Sequence, residues 1–329
     1  MNTFPVLLQS HEWLDAARLS TFMPEPLPSR LAVGWSGGAD STALLLALKA
    51  CGYEVHAWHV DHGWHPDSAE QADQLAKQAE AWGILFSSIR LSVASENNRE
   101  AEARSGRYKA FQTLAKQSGL TDLCLAHHRD DQAETVFMRM LQGAGVHGLR
   151  GMQAVRMRGE LRLFRPFLHL TRHEIIEGLQ RSGVNWLEDQ SNHDMTLWRN
   201  RLRRETFPAF ADCGANPAEL FLRWQKQAVN VVERIDSALE PIAFECSKNE
   251  CSLSWQAWQR LTPLLRVYLL QQMMQRLFGE GTVAGRRHID LMHVWMEQGG
   301  RGGLDLSRCR LMRKDGRLCL FAKPMLETD

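Results

Sequence analysis

A chain of 329 residues, 44% of them hydrophobic, can bury cores for two or three domains, and its formal net charge of +1 leaves any nucleic-acid surface to local patches. Seven scattered cysteines without a CxxC pair read as reduced thiols, which argues against a disulfide framework or a zinc site. No apolar run approaches the roughly 18 residues of a membrane span, and the first twenty residues are not a signal peptide, so the expectation is a cytoplasmic protein without a membrane partner.

Residues 7–20 read as an amphipathic helix, ended by the proline-rich run at 24–28. A short apolar strand at 31–33 then gives way to Ser36-Gly37-Gly38-Ala39-Asp40-Ser41 and an apolar helix from Thr42. Strands follow at 55–60, 84–91 and 122–126, alternating with helices at 69–82, 99–117 and 130–141. A further helix spans 171–183, before the arginine-rich segment 199–204. Past Gly214-Ala215-Asn216-Pro217 the pattern is one long helix at 219–243, helices near 254–278 and 286–298, and alternation over 304–321 around Asp315-Gly316, a hairpin turn. The alternation implies an α/β fold with a doubly wound parallel sheet, followed by a mostly helical domain that ends in a β-hairpin. The expected boundaries are 1–214 for the first domain, 215–245 for a connecting helix and 246–329 for the second domain.

The strand–glycine turn–helix at 31–48 points backbone N–H groups and a helix N-terminus at one spot, where an anion can sit. Gly37 and Gly38 permit positive φ and close approach of a ligand, and no Lys-Ser/Thr pair follows them as a Walker loop would require. In a doubly wound sheet ligands gather beyond the carboxyl ends of the strands, where His59-Val60-Asp61-His62-Gly63 and His127-His128-Arg129-Asp130-Asp131 also fall. Asp131 and Glu134, three apart near a helix start, could share a face that holds Mg²⁺ or grips a substrate ammonium group. The acids could also serve only the helix dipole, and one of the histidines after the second strand could be a satisfied core residue. Arg199, Arg201, Arg203 and Arg204, with eight Lys/Arg against four Asp/Glu over 285–317, give two local basic segments in a neutral chain. They fit a polyanion larger than a nucleotide.

The hexapeptide at 36–41 resembles the pyrophosphate loop of the ATP pyrophosphatases, which split ATP to AMP and pyrophosphate. The ordered set of HVDHG at 59–63, EARSGRY at 102–108, AHHRDDQAET at 126–135, GAGVHGLRGM at 143–152, RPFLHLTRHEI at 165–175, WLEDQSN at 186–192 and RNRLR at 199–203 is similar to the tRNA(Ile)-lysidine synthetase family. One departure is Trp64-His65, where the family commonly carries Leu-Arg. The resemblance implies an adenine nucleotide alpha-hydrolase-like fold and an ATP- and Mg²⁺-dependent ligase. That ligase adenylates C2 of cytidine 34 in tRNA(Ile) with a CAU anticodon and then joins free lysine to it, with a homodimer among the assemblies it allows. Ser36, Gly37, Gly38, Ala39, Asp40, Ser41, Asp61, His62 and His127 then bind ATP, and Asp40 also takes Mg²⁺. Asp40, Asp131 and Glu134 are the catalytic set, and Asp131, Glu134, Arg104, Arg165, Arg199, Asn200 and Arg203 hold lysine or tRNA. The rival readings are a tRNA sulfur transferase of the same superfamily, which lacks its CxxC or paired cysteines here, a small-molecule amidating synthetase, and a tRNA-binding protein with a degenerate site.

Overall fold

The computed structural model describes residues 26–63, 67–91, 99–187, 195, 198–279 and 285–323. The helix read at 7–20, the Trp64-His65 pair and residues 188–192 lie outside them. The chain divides into two compact units between Ala228 and Val229.

The first unit is built on a six-stranded sheet: β1 (Arg30–Gly34), β2 (Glu54–Asp61), β3 (Leu85–Arg90), β4 (Asp122–Cys124), β5 (Val155–Arg158) and β6 (Leu161–Phe164). Their order is β3-β2-β1-β4-β6-β5. Strands β3, β2, β1, β4 and β6 are parallel, and β5 closes one edge antiparallel to β6. The helices are α1 (Ala39–Ala50), α2 (Ser68–Ala81), α3 (Arg99–Ser118), α4 (Arg129–Leu141), the single turn α5 (Val146–Leu149), α6 (Arg172–Arg181), α7 (Trp198–Arg201) and α8 (Phe207–Asp212). Between α7 and α8 the backbone widens into a π-helical turn over Leu202–Thr206.

Strand β1 shows why the sheet is covered on both faces. Leu31 and Val33 join a core with Leu44, Leu48, Leu75, Ile175 and Leu179, whereas Ala32 joins Trp58, Phe111, Leu114 and Leu123 on the other side. A strand buried on both faces reads as a continuous apolar run, as this one does. From β1 the chain crosses to β2 on one side, and β4 lies on the other. That reversal of winding opens a crevice at the carboxyl ends of β1 and β4.

The long helix α9 (Pro217–Leu239) matches the helix expected at 219–243. The second unit contains β7 (Glu245–Cys246), β8 (Glu250–Ser254), α10 (Trp255–Arg260), α11 (Pro263–Phe278), α12 (Arg286–Glu297), β9 (Gly303–Asp305), β10 (Cys309–Lys314) and β11 (Arg317–Ala322). The expected hairpin is β10–β11, set in a five-stranded antiparallel sheet of order β7-β8-β11-β10-β9. Trp258, Leu269, Leu270, Met273, Leu311, Leu318 and Leu320 fill the core of this unit. The expectation of free thiols throughout is corrected here. Cys246 and Cys251 face each other across the β7–β8 pair, with Cα atoms 4.1 Å apart, and are joined as a disulfide. No described helix is long and apolar enough to cross a membrane.

Candidate active site

Trp35 to Ser41 leave β1 as a loop tied to itself. The Ser36 N–H donates to Ser41 Oγ (3.2 Å), Ser41 Oγ donates to the Gly38 carbonyl (3.0 Å), and the two serine hydroxyls lie 3.1 Å apart. Gly37 has φ +84°, and a Cβ there would stand 2.8 Å from Leu187 and 2.9 Å from Leu75, so both the conformation and the space demand glycine. Gly38 does not use the positive φ that glycine permits: its φ is −70°, and a Cβ would meet only Ser36 Oγ at 3.5 Å. It is the N-cap of α1 and has no side chain to cap with, so the helix begins without a side-chain acceptor for its first N–H groups. That leaves donors and the positive end of the helix dipole for an anion.

The loop lines a cavity of about 830 Å³ together with Asp61, His62, Arg107, His127, Arg172, Trp186, Asn200, Arg203 and Arg204. The two histidines after β2 divide their roles. His59 Nδ1 bonds the Trp35 carbonyl at 2.9 Å, and its ring stacks on Phe86. Burial lowers its pKa, so the neutral ring braces the loop. His62 Nε2 takes a 3.2 Å bond from Arg107. Asp61 is occupied by local structure: it accepts from the Gly63 N–H (2.7 Å) and the Ser68 hydroxyl (3.3 Å), with Arg90 at 3.5 Å.

Beyond β4, His127 is kept neutral by burial, which takes its pKa down to about 3, and its Nδ1 has no hydrogen-bond partner among the described residues. His128 caps α4: its N–H donates to Asp131 Oδ2 at 3.1 Å, and its ring lies 3.5 Å from Asp130, 3.5 Å from Asp131 and 3.9 Å from Asp40. Burial alone would depress this imidazole, but the bond to Asp130 and the charges of Asp131 and Asp40 outweigh it and raise its pKa. The ring therefore bridges the loop after β1 and the acids after β4. Asp40 also has Arg172 at 3.8 Å, while its Oδ1 is buried without a partner among the described residues. Burial raises its pKa against the pull of His128 and Arg172.

Asp131 and Glu134 stand behind the cavity wall, and Arg203 is the wall. Its Nη2 donates to Asp131 (2.7 Å) and Glu134 (3.1 Å), and its Nε bonds Glu134 as well. Two structural causes bring the residues together. Phe137, Phe207, Phe210 and Phe221 pack ring to ring, clamping the 198–212 run against α4, and the π-helical turn falls at Arg203. Burial works against ionisation of Asp131, but His128 and Arg203 outweigh it and its pKa is lowered; at Glu134 burial wins and the pKa is raised.

The structure thus gathers Ser36, Gly38, Ala39, Asp40, Ser41, Asp61, His62, His127, Asn200 and Arg203 at one cavity, with Gly37 turned into the packing behind it and Asp131 and Glu134 joined to it through Arg203. Arg199 lies close enough for its charge to act on His127 and Glu134. Arg165 also acts on His127 by its charge, and with Arg104 it belongs to a group of arginines around Tyr108. Arg203, expected to hold lysine or tRNA, lines the cavity and bonds the two acids. His128, Arg172 and Arg107 were not among the expected site residues. His128 stood in the run after β4 that the sequence placed at the crevice, and Arg172 follows Thr171 in the capping box that opens α6.

Residues 13–210 match the PP-loop domain family. The tRNA(Ile)-lysidine synthase of Chlamydia caviae is 32% identical over 77% of this chain and 80% of its own. That of Pseudomonas syringae pv. tomato is 39% identical over 59% of this chain and 44% of its own. Among solved structures, the U34-tRNA thiolase NcsA from Methanococcus maripaludis superposes with a TM-score of 0.53 at 16% identity, over 65% of this chain and 78% of that one. At that identity the likeness speaks for the fold.

Proposed function

Because the chain belongs to the tRNA(Ile)-lysidine synthases of the PP-loop domain family, we propose that it binds ATP, free lysine and tRNA(Ile) at this cavity and converts cytidine 34 to lysidine in the cytoplasm. The observation that carries the reading is the pairing of two opposite demands in one crevice. An uncapped helix N-terminus after β1 suits phosphates, and two buried acids after β4 suit an amine.

In the first step the C2 carbonyl oxygen of the cytidine attacks the α-phosphorus of ATP, and pyrophosphate leaves. The N–H groups at the start of α1, with the Ser36 and Ser41 hydroxyls, hold the departing pyrophosphate. A divalent cation such as Mg²⁺ fits at Asp40, whose buried Oδ1 has no protein partner among the described residues. Such ions bind through one or two carboxylates plus substrate phosphates, and they neutralise phosphate charge. His127, neutral and with a free Nδ1, offers a hydrogen bond to the nucleotide.

In the second step the neutral ε-amine of lysine attacks C2, AMP leaves, and the amine loses a proton. At rest the guanidinium of Arg203 fills the cation position between Asp131 and Glu134. A phosphate arriving in the cavity draws Arg203 away, and the freed carboxylates receive the ammonium group. Glu134, with its pKa raised, is the better proton acceptor, and Asp131 stays ionised to fix the cation.

A thiol-based sulfur transfer is disfavoured by Cys124, which is fully buried in β4 with its pKa pushed far above the ordinary thiol value. The deciding assay incubates the protein with tRNA(Ile), ATP and labelled lysine. Label in the tRNA together with AMP is expected, and ATP–pyrophosphate exchange without label in the tRNA would refute the reading.

A further inference from the structure

Five arginines of the first unit share a feature that the cavity does not explain. Among the described residues, no carboxylate pairs with Arg104, Arg139, Arg150, Arg158 or Arg165. Three of them meet at Tyr108: the Arg158 guanidinium lies 3.5 Å from its ring centroid, that of Arg104 lies 6.0 Å away, and Arg165 also interacts with it. Arg165, only 4% exposed, donates to the Gln153 carbonyl at 2.6 Å, while its Nε is buried without a partner. Arg150 Nε is buried and unpartnered in the same way. Arg139 spends its donors on the carbonyls of Gly148 and Gly151, which fixes the glycine loop beside the group. Like charges crowd one another here. Burial lowers the pKa of Arg139, Arg158 and Arg165, and neighbouring Arg104 and Arg156 lower each of them further.

A protein rarely buries guanidinium donors with neither a carboxylate nor a full set of hydrogen bonds unless an anion completes them. We propose that Arg104, Arg158 and Arg165, grouped round Tyr108, form a cradle for backbone phosphates of the RNA substrate. This rests on the tRNA reading above and adds to it the place where the strand is gripped. Both a phosphodiester and the carboxylate of lysine are oxyanions, and the number of arginines favours the phosphodiester: the group carries more positive charge than one carboxylate needs.

Arg104 and Arg158 are exposed, so the double variant Arg104→Gln/Arg158→Gln should fold. Steady-state kinetics on the full chain, with tRNA(Ile), ATP and lysine varied in turn, test the proposal. The KM for tRNA should rise about tenfold near 0.15 M salt, and the slope of log KM against log salt should flatten by about 0.7–1.4, the worth of one or two phosphates on a single strand. The KM values for ATP and lysine should stay within about twofold. Arg104→Lys/Arg158→Lys, which keeps the charge, should keep the salt slope. An unchanged tRNA KM and slope would overturn the cradle, and so would a rise confined to the lysine KM, which would assign the site to its carboxylate. Lysine incorporation by the unaltered chain tests the underlying reading separately, so the two can fail independently.

Discussion

Arg203→Ala is the perturbation with the most to say. The side chain bonds two carboxylates that are 12% and 2% exposed, while the guanidinium itself is 37% exposed. Breaking a fully buried ion pair costs about 3–5 kcal/mol, and an exposed pair is worth about 0–1. The half-open geometry places this one between, at about 2–3 kcal/mol near pH 7.5. The pH dependence separates charge from packing. Asp131 has a lowered pKa in the fold, so its contribution is present above the ordinary value of 3.8 and lost as pH falls through the folded value. Removing Arg203 raises the folded pKa of both acids, and an acid with a raised pKa loses stability as pH rises through it. The deficit of the variant should therefore be largest at neutral pH and shrink toward pH 4, as the acids left without Arg203 take protons. Denaturant unfolding at the two pH values measures it. A loss below about 0.5 kcal/mol at pH 7.5, or an equal loss at both values, would show that the arginine acts only through its stem.

Other outcomes follow from the same geometry. Gly37→Ala should lower stability by about 2–3 kcal/mol through its positive φ and the contacts with Leu187 and Leu75, whereas Gly38→Ala should leave thermal stability nearly unchanged and slow pyrophosphate release. Equal melting losses in both would contradict the division of labour between the two glycines. Asp131→Asn should abolish lysine incorporation in a folded protein, and full turnover would remove Asp131 from the reaction. His128 has a raised pKa, so its stabilisation is fully present below 6.5 and fades as pH rises through the folded value. His128→Asn, which can still cap the helix, should flatten the stability profile over that window, and an unaltered profile would count against the imidazolium bridge.

The two strand–turn–helix units that build the crevice were legible in the sequence because each joins a continuous apolar run to glycine or capping residues. The hairpin β5–β6 was not. Its strands are four residues each, and Arg156, Arg158 and Arg162 read as charge instead of strand alternation. Strands β7 and β8 escaped for the same reason of length. Within the site, HVDHG marked a functional place but could not say that His59 braces the loop while His62 faces Arg107. The bond from Arg203 to Asp131 spans 72 positions and depends on four phenylalanines stacking, which no local pattern encodes. A still longer separation in sequence hid the meeting of His128 with Asp40.

Strand β5 has a consequence for how the molecule behaves when no RNA is near. Among the described residues it is the last strand of its sheet, so one row of its N–H and C=O groups has no neighbouring strand there, the usual template for chain-to-chain pairing. Arginines at alternate positions along it set like charges against any second copy that tries to dock there, and four residues offer little length to pair with. Replacing Arg156 and Arg158 with valine would give a longer-lived, self-adhesive edge, detectable as light scattering on concentration. Arg158, one of the two, belongs to the proposed cradle, so a charge that suits a polyanion would also oppose pairing of the free protein with itself.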